Sequence, residues 1–340
     1  MPNIVTLDGQ INFPFTAIEL TQAVDRLPNM YGRIEELNLM PGQGVSTTMV
    51  RIDIRDGYVT VLPVSDRDGP ASVGKSADRN AIYLEIPHVP HIDKLTVGDI
   101  QDMLAFASNP MRPVTFEEKL AEKLQNIKNK HAITREYFRM GALKGKIVDG
   151  AGTELHDLYD RFGIVKKTVD FKLNVADTNV HEKCMEVVRH IEENLRGEVM
   201  GSVRALVSRE FFSALTSHKN VEKFYVNWQA AAALAGDARK GFEFGGIIFE
   251  EYNASATLMN GSSGRLIAQG EGHTFPVGTM NTFKTFDGPV NNIGMANMPG
   301  VEVYISPKVL DHGEGVELKS ESNPLPVCAR PELLVELKAE

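Results

Sequence analysis

The chain has 340 residues, 42% of them hydrophobic and 24% charged, which is the composition of an average soluble globular protein long enough for two ordinary domains. A formal charge of −9 at pH 7 speaks against a module that reads nucleic-acid sequence through a basic stripe, but not against a protein that merely encloses nucleic acid. Cys184 and Cys328 stand far apart with no Cys or His at ligand spacing, so neither a disulfide framework nor a zinc site is expected, and a reducing compartment is.

In chain order, Met1–Asp8 lacks the basic start and apolar core of a secretory signal, and no later apolar run approaches the ~18 residues of a membrane span. A soluble, cytoplasmic protein of mixed helix and strand is expected. Residues 1–33 are polar and broken by Pro2, Gly9, Pro14, Pro28 and Gly32 around a short apolar segment, so they are expected to build no core of their own and either to stay mobile or to lie against something else. Between 49 and 64, Val50, Ile52 and Ile54 alternate with Arg51, Asp53 and Arg55, and Asp56-Gly57 is a hairpin turn signal. A tip with both signs of charge follows (Asp66, Arg67, Asp68, Lys75, Asp78, Arg79), and residues 81–86 return as a second strand. A two-stranded ribbon of this kind is marginal in water unless it packs on something.

Thr115-Phe116-Glu117-Glu118 is a capping box opening a long helix. Phe116, Leu120, Leu124, Ile127, His131, Thr134 and Phe138 fall on one face of it; Lys119, Glu122, Lys123, Lys128 and Lys130 are expected on the solvated side. Nothing interrupts the pattern before Gly141, which gives about 25 residues, or roughly 37 Å. Residues 143–150 and 155–163 read as short strand pieces around glycine turns. Asn179 and Glu182 cap an amphipathic helix running to about 196, and Val203–Val207 is a strand whose following Ser208 caps the helix carrying Phe211, Phe212 and Leu215. Gln229–Ala235 reads as a short helix stopped by Gly236, and strands are expected at 242–252, around Leu266, Val277 and Met280, at 301–306, and on both sides of Arg330-Pro331.

Chemical motifs are sparse. Gly69-Pro-Ala-Ser-Val-Gly-Lys75-Ser76 fits the phosphate-loop pattern, but no buried strand runs into it and an alternating strand, not a helix, follows. His88 and His91 are bracketed by prolines without a third ligand, which favours a solvated loop over a metal site. His131 on the apolar stripe reads as a hydrogen-bonded core or interface histidine. Gly261-Ser-Ser-Gly264 and Gly270-Glu-Gly-His273 read as turns. No two carboxylates pair by spacing as acid and base, so no catalytic residue, cofactor or metal ligand is assigned.

The order of these elements resembles the lambda-like phage major capsid protein family (major capsid protein E), whose α+β fold is of the Hong Kong 97 type. The resemblance is carried by the ribbon at 45–90, the long helix ending in Gly141-Ala-Leu-Lys-Gly-Lys146, the strand-then-helix unit at 203–215, and Phe275-Pro-Val-Gly-Thr-Met280. The ending Pro324-Leu-Pro326 with Arg330-Pro-Glu-Leu-Leu-Val335 completes it. It implies an N-terminal arm (1–33), an extended loop (45–90) lying over an adjacent subunit, and a peripheral domain (91–175) with spine helix 115–140. An axial domain (176–323) and a C-terminal return to the peripheral domain (324–340) follow.

In function it implies a structural, non-enzymatic shell subunit forming the hexamers and pentamers of an icosahedral capsid around double-stranded DNA, without a cofactor. The inter-subunit contacts would be Arg51, Asp53, Arg55, Asp66, Arg67, Asp68, Lys75 and Arg79 of the extended loop, and the spine would be built on Phe116, Leu120, Leu124, Ile127 and Phe138. The implied partners are copies of itself, a separate scaffolding protein, a decoration or cement protein, a portal at one vertex and packaged DNA touched non-specifically, with no membrane. Assembly in the host bacterial cytoplasm would place the product in the virion. The alternatives are an encapsulin-like compartment of the same fold and a P-loop nucleotide hydrolase using Gly69–Ser76. Heterologous contacts that close after five or six copies suit a charged ribbon and a coreless arm, and an acidic chain adheres weakly to the phosphates it encloses.

Overall fold

The computed structural model describes residues 15–26, 32–55, 79–101, 115–232, 240–257, 261 and 263–340. In chain order these carry α1 (Ala17–Arg26), α2 (Arg33–Glu36), β1 (Gly42–Gly44), β2 (Met49–Arg55), β3 (Arg79–Glu85), β4 (Val89–Thr96) and α3 (Phe116–Lys144). There follow β5 (Lys146–Val148), β6 (Glu154–Asp157), α4 (Leu158–Phe162), β7 (Lys167–Asp170), α5 (Val180–Asn194), β8 (Ser202–Val207), α6 (Arg209–Ser217) and α7 (Glu222–Ala232). The remainder is mostly strand, with short 3-10 turns: β9 (Lys240–Phe244), β10 (Ile247–Glu251), β11 (Ser255–Thr257), β12 (Ser263–Arg265), β13 (Glu271–Val277), β14 (Phe283–Asp287), β15 (Tyr304–Val309), β16 (Gly315–Ser322), β17 (Pro324–Cys328) and β18 (Val335–Lys338). The chain divides into two compact units, one of residues 1–50, 85–138 and 285–326, the other of 51–84, 139–284 and 327–340.

The first unit is built on the antiparallel sheet β15-β16-β4, with Leu318 opposite Asp93 and Pro307 opposite Leu318. Alternation along β16 and β4 sends Leu95, Val316 and Leu318 to one face, where they join Leu120, Leu124 and Ile127 of α3. The same core contains Leu20 and Val24 of α1, so this part of residues 1–33 builds no core of its own but lies against one supplied by α3 and the sheet. Glu19 closes a capping box on Thr16, and the Thr21 hydroxyl accepts the Ile305 amide at 3.1 Å. The apolar step Leu20–Val24 is one helical turn, so a short amphipathic helix buries its single stripe on β15. Lys128 corrects the sequence reading. It is 7% exposed, not solvated, and its ammonium donates to Val24 O at 2.8 Å, at the C-terminal end of α1 where free carbonyls and the helix dipole favour a cation.

The expected capping box opens α3: the Thr115 amide donates to Glu118 at 3.0 Å, and the Glu118 amide to the Thr115 hydroxyl at 3.3 Å. The helix does not stop before Gly141 but spans 29 residues, about 43 Å at 1.5 Å per residue. Gly141 is there for closeness, since a Cβ would stand 2.7 Å from Lys146 O on β5. The stop comes at Gly145, whose left-handed φ of 79° suits a terminating glycine.

In the second unit a six-stranded mixed sheet runs β7-β18-β13-β8-β10-β9, with β8/β10 and β7/β18 parallel and the other neighbours antiparallel. Its core packs α5 and α6 through Val187, Ile191, Phe211 and Leu215 against Phe171, Val207 and Phe249. Phe171, Phe211 and Phe249 meet with centroids 5.6–6.4 Å apart. Asn179 and Ser208 cap α5 and α6, each accepting an amide at 3.3 Å. Several details differ from the sequence reading, among them the strand expected around Met280, which lies between β13 and β14. Residues 158–162 are helical, capped by Asp157, and the helix expected at Gln229 begins already at Glu222. Position 175/176, where a domain boundary is expected, lies in the connection between β7 and α5, and strands from both sides of it share the six-stranded sheet through β18.

Candidate functional site

The ribbon is present as the two-stranded sheet β2/β3. At its base Val50 and Leu84 are buried, and the Ile86 amide donates to Thr48 O at 2.9 Å. Arg51 next to Val50 is exposed, as the alternation predicts. Asp53 and Arg55 lie on β2 and Arg79 on β3. The Asp56-Gly57 turn, Asp66, Arg67, Asp68, Lys75 and the Gly69–Ser76 loop lie outside the described residues. Met49 and Tyr83 are half exposed on the ribbon.

On α3, Leu120, Leu124 and Ile127 are buried, Phe116 packs at the edge of the same core, and Phe138 is buried further along. Sequence reasoning placed His131 on this face as a hydrogen-bonded histidine but missed its polar neighbours Lys128, Arg135 and Arg139. His131 is buried with its Nε2 2.9 Å from the Ser320 hydroxyl, which itself donates to His91 O at 3.1 Å. One turn on, the buried Arg135 donates to Asp287 Oδ1 at 2.5 Å and reaches Glu302 at 3.4 Å, while Glu136 accepts the Ile34 amide at 3.0 Å. Burial disfavours the Arg135 charge, but Asp287 and Glu302 outweigh it, and the guanidinium pKa is raised. The signal was available. Continuing the three-and-four steps from Leu124 reaches Lys128, His131, Arg135 and Arg139, four polar residues on a core-facing stripe.

His88 and His91 serve separate partners. His88 Nδ1 lies 3.0 Å from Asn323 Oδ1, and His91, half-buried on strand β4 and not on a loop, meets the Lys130 ammonium at 3.0 Å through Nε2. Burial first, then Lys130, lowers the His91 pKa against the pull of Asp93. Burial pushes the Cys184 thiol up to about 12 and the Cys328 thiol further, so neither is a poised nucleophile, and both are free. A groove of about 710 Å³ in the second unit is lined by His181, Phe224, Trp228, Glu243 and Phe244, with Phe224 and Phe244 edge to face at 5.6 Å. Among the described residues no group of three or more His, Cys, Asp or Glu side chains is placed to hold a metal ion, and no helix is long and apolar enough to cross a membrane.

A long helix beside a three-stranded sheet, a ribbon of its own and a six-stranded sheet flanked by helices make up the Hong Kong 97 type of shell fold. The chain is similar over 97% of its length to all of a protein assigned as the capsid protein of an Escherichia coli CFT073 prophage, with a TM-score of 0.62 at 12% identity. It is similar over 98% of its length to 91% of a chain in the mature capsid of bacteriophage PhiM1, with a TM-score of 0.52 at 14% identity. In sequence it is 31% identical to the major capsid protein of Salmonella phage Felix O1, covering 96% of both chains. The family model for phage major capsid protein E matches residues 16–339, and the chain belongs to that family. It is a structural component of a phage capsid, one that assembles with copies of itself into a shell.

Proposed function

We propose that this chain forms the hexamers and pentamers of an icosahedral shell around the double-stranded DNA of a tailed bacteriophage, and that it does so without catalysing a reaction. The observation that carries this reading is the ribbon. Among the described residues β2 and β3 pair only with each other, and Met49 and Tyr83 are 50% and 54% exposed. A two-stranded sheet is marginal alone in water, and packing on an adjacent copy supplies the missing burial. Arg51, Asp53, Arg55, Asp66, Arg67, Asp68, Lys75 and Arg79 then meet groups of that copy. Each exposed pair is worth only about 0–1 kcal/mol, so strength comes from many contacts and many subunits.

In the same reading α3 is the spine of the peripheral part, the six-stranded sheet with its helices is the axial part at the capsomer centre, and the residues before α1 serve as the arm. A separate scaffolding protein guides assembly in the host cytoplasm, a decoration protein reinforces the shell, a portal occupies one vertex, and the DNA is touched non-specifically. The test is deletion of residues 66–80. The subunit is expected to fold, with unchanged hydrogen exchange in α5 and α6, but to give few shells by electron microscopy. Shells in normal number from the deleted chain refute the role given to the ribbon.

A further inference from the structure

Two stretches of the first unit, Leu37–Val50 and Gly288–Val301, contain no Asp, Glu, Lys or Arg. They are far apart in the chain and joined in the fold. β1 pairs in parallel with β14, Gly42 opposite Thr285 and Gly44 opposite Asp287. The Val45 amide donates to Asp287 O at 2.8 Å and the Gly300 amide to Val45 O at 3.0 Å. The approach leaves no room for a side chain on Gly44, whose Cβ would stand 2.4 Å from Gly300 O, and the loop's own folding leaves none on Gly300, whose Cβ would stand 2.0 Å from Gly288 O. The loop after β14 is held by its own bonds. Asn291 donates through its amide to Glu321 at 2.8 Å, the Asn292 side chain accepts the Gly294 amide at 2.9 Å, and Asn323 donates to Pro289 O at 2.7 Å. On this ordered base Ile293 is 98% exposed, with Met298 half exposed.

We propose that this joined uncharged face, centred on Ile293, packs against the same face of a neighbouring copy across a rotation axis of the shell. The inference rests on the shell reading above. Close to an axis each residue meets its own image, so any charge there faces a like charge and repels it. A contact between unlike surfaces has no such restriction and uses both signs, as the ribbon sequence does. An ordered loop that carries a bare isoleucine and adaptable methionines, with no charge on either joined stretch, is what a like-to-like contact needs.

The experiment uses full-length chains carrying Ile293→Asp or Ile293→Lys, each alone and co-expressed in equal amounts. Shells are counted by sedimentation and electron microscopy under conditions in which the wild-type chain forms them. Because the side chain is 98% exposed, the melting temperature of the subunit is expected to be unchanged in both variants. Each variant alone is expected to give about tenfold fewer shells, with the deficit shrinking in about 0.5 M salt, and the mixture to recover to within about twofold of wild type. Wild-type yield from either variant alone, or a mixture no better than its parts, overturns the proposal; the former is what a face covered by a different protein would give. If the wild-type chain forms no shells under any condition, the shell reading fails and this inference with it.

Discussion

Replacing Asp287 by alanine tests whether the polar face of α3 is locked in place as the structure implies. Arg135 is 3% exposed, and its short bond to Asp287 is its main compensation for lost water; Glu302, at 3.4 Å, has a side chain 38% exposed and contributes less. Removing one partner of a buried ion pair leaves an uncompensated charge and costs about 3–5 kcal/mol. Opening of residues 120–138 should therefore become about a hundredfold to a few thousandfold more frequent, at a factor of ten for each 1.4 kcal/mol. Hydrogen exchange of peptides from α3 reads this directly, with α5 and α6 in the other unit as internal references. The double change Arg135→Met with Asp287→Leu removes both charges and should restore most of the protection. Less than tenfold faster exchange in Asp287→Ala, or a double variant as open as the single one, would refute the reasoning.

Two further outcomes follow from the same unit. His131 titrates at about 4 in the fold, lowered from 6.5 first by burial and then by His91, Arg135 and Lys130. The unfolded chain takes up the proton near pH 6.5 and the folded chain does not, so this stability is complete above that pH and is lost as pH falls toward 4. The loss is about 2 kcal/mol between pH 7 and 5. His131→Gln keeps a donor for Ser320 and should flatten that part of the pH dependence in α3 exchange, leaving the smaller share of His91; an unchanged slope would count against it. Lys128→Met removes the ammonium from Val24 O, worth about 1.5–3 kcal/mol for a charged hydrogen bond, and should speed exchange in α1 while leaving α5 as it was. Equal exchange in α1 would mean that the bond does not hold it.

Local chemistry was legible in the chain. Thr115 with Glu118, Asn179 with Glu182, and Ser208 before Phe211 each form the cap that their spacing announces, because a cap is made within four residues. The apolar steps of α3 and the alternation at Val50 and Arg51 were equally readable, since side-chain period follows from backbone geometry alone. What the three-dimensional structure decided is everything that depends on a distant partner. Gly141 reads as a helix stop until β5 is seen passing 2.7 Å from where its Cβ would be, and Lys128 reads as solvated until α1 ends beside it. Leu20 and Val24 announce a need for a surface to lie against but not which one, because much of that surface comes from strands about 280 positions later. Leu37–Val50 and Gly288–Val301, far apart in the chain, touch only because β1 pairs with β14 and brings Gly44 against Gly300. A sequence fixes which groups want burial, pairing or charge neutrality; which groups answer them is set by chain segments that no local pattern can name.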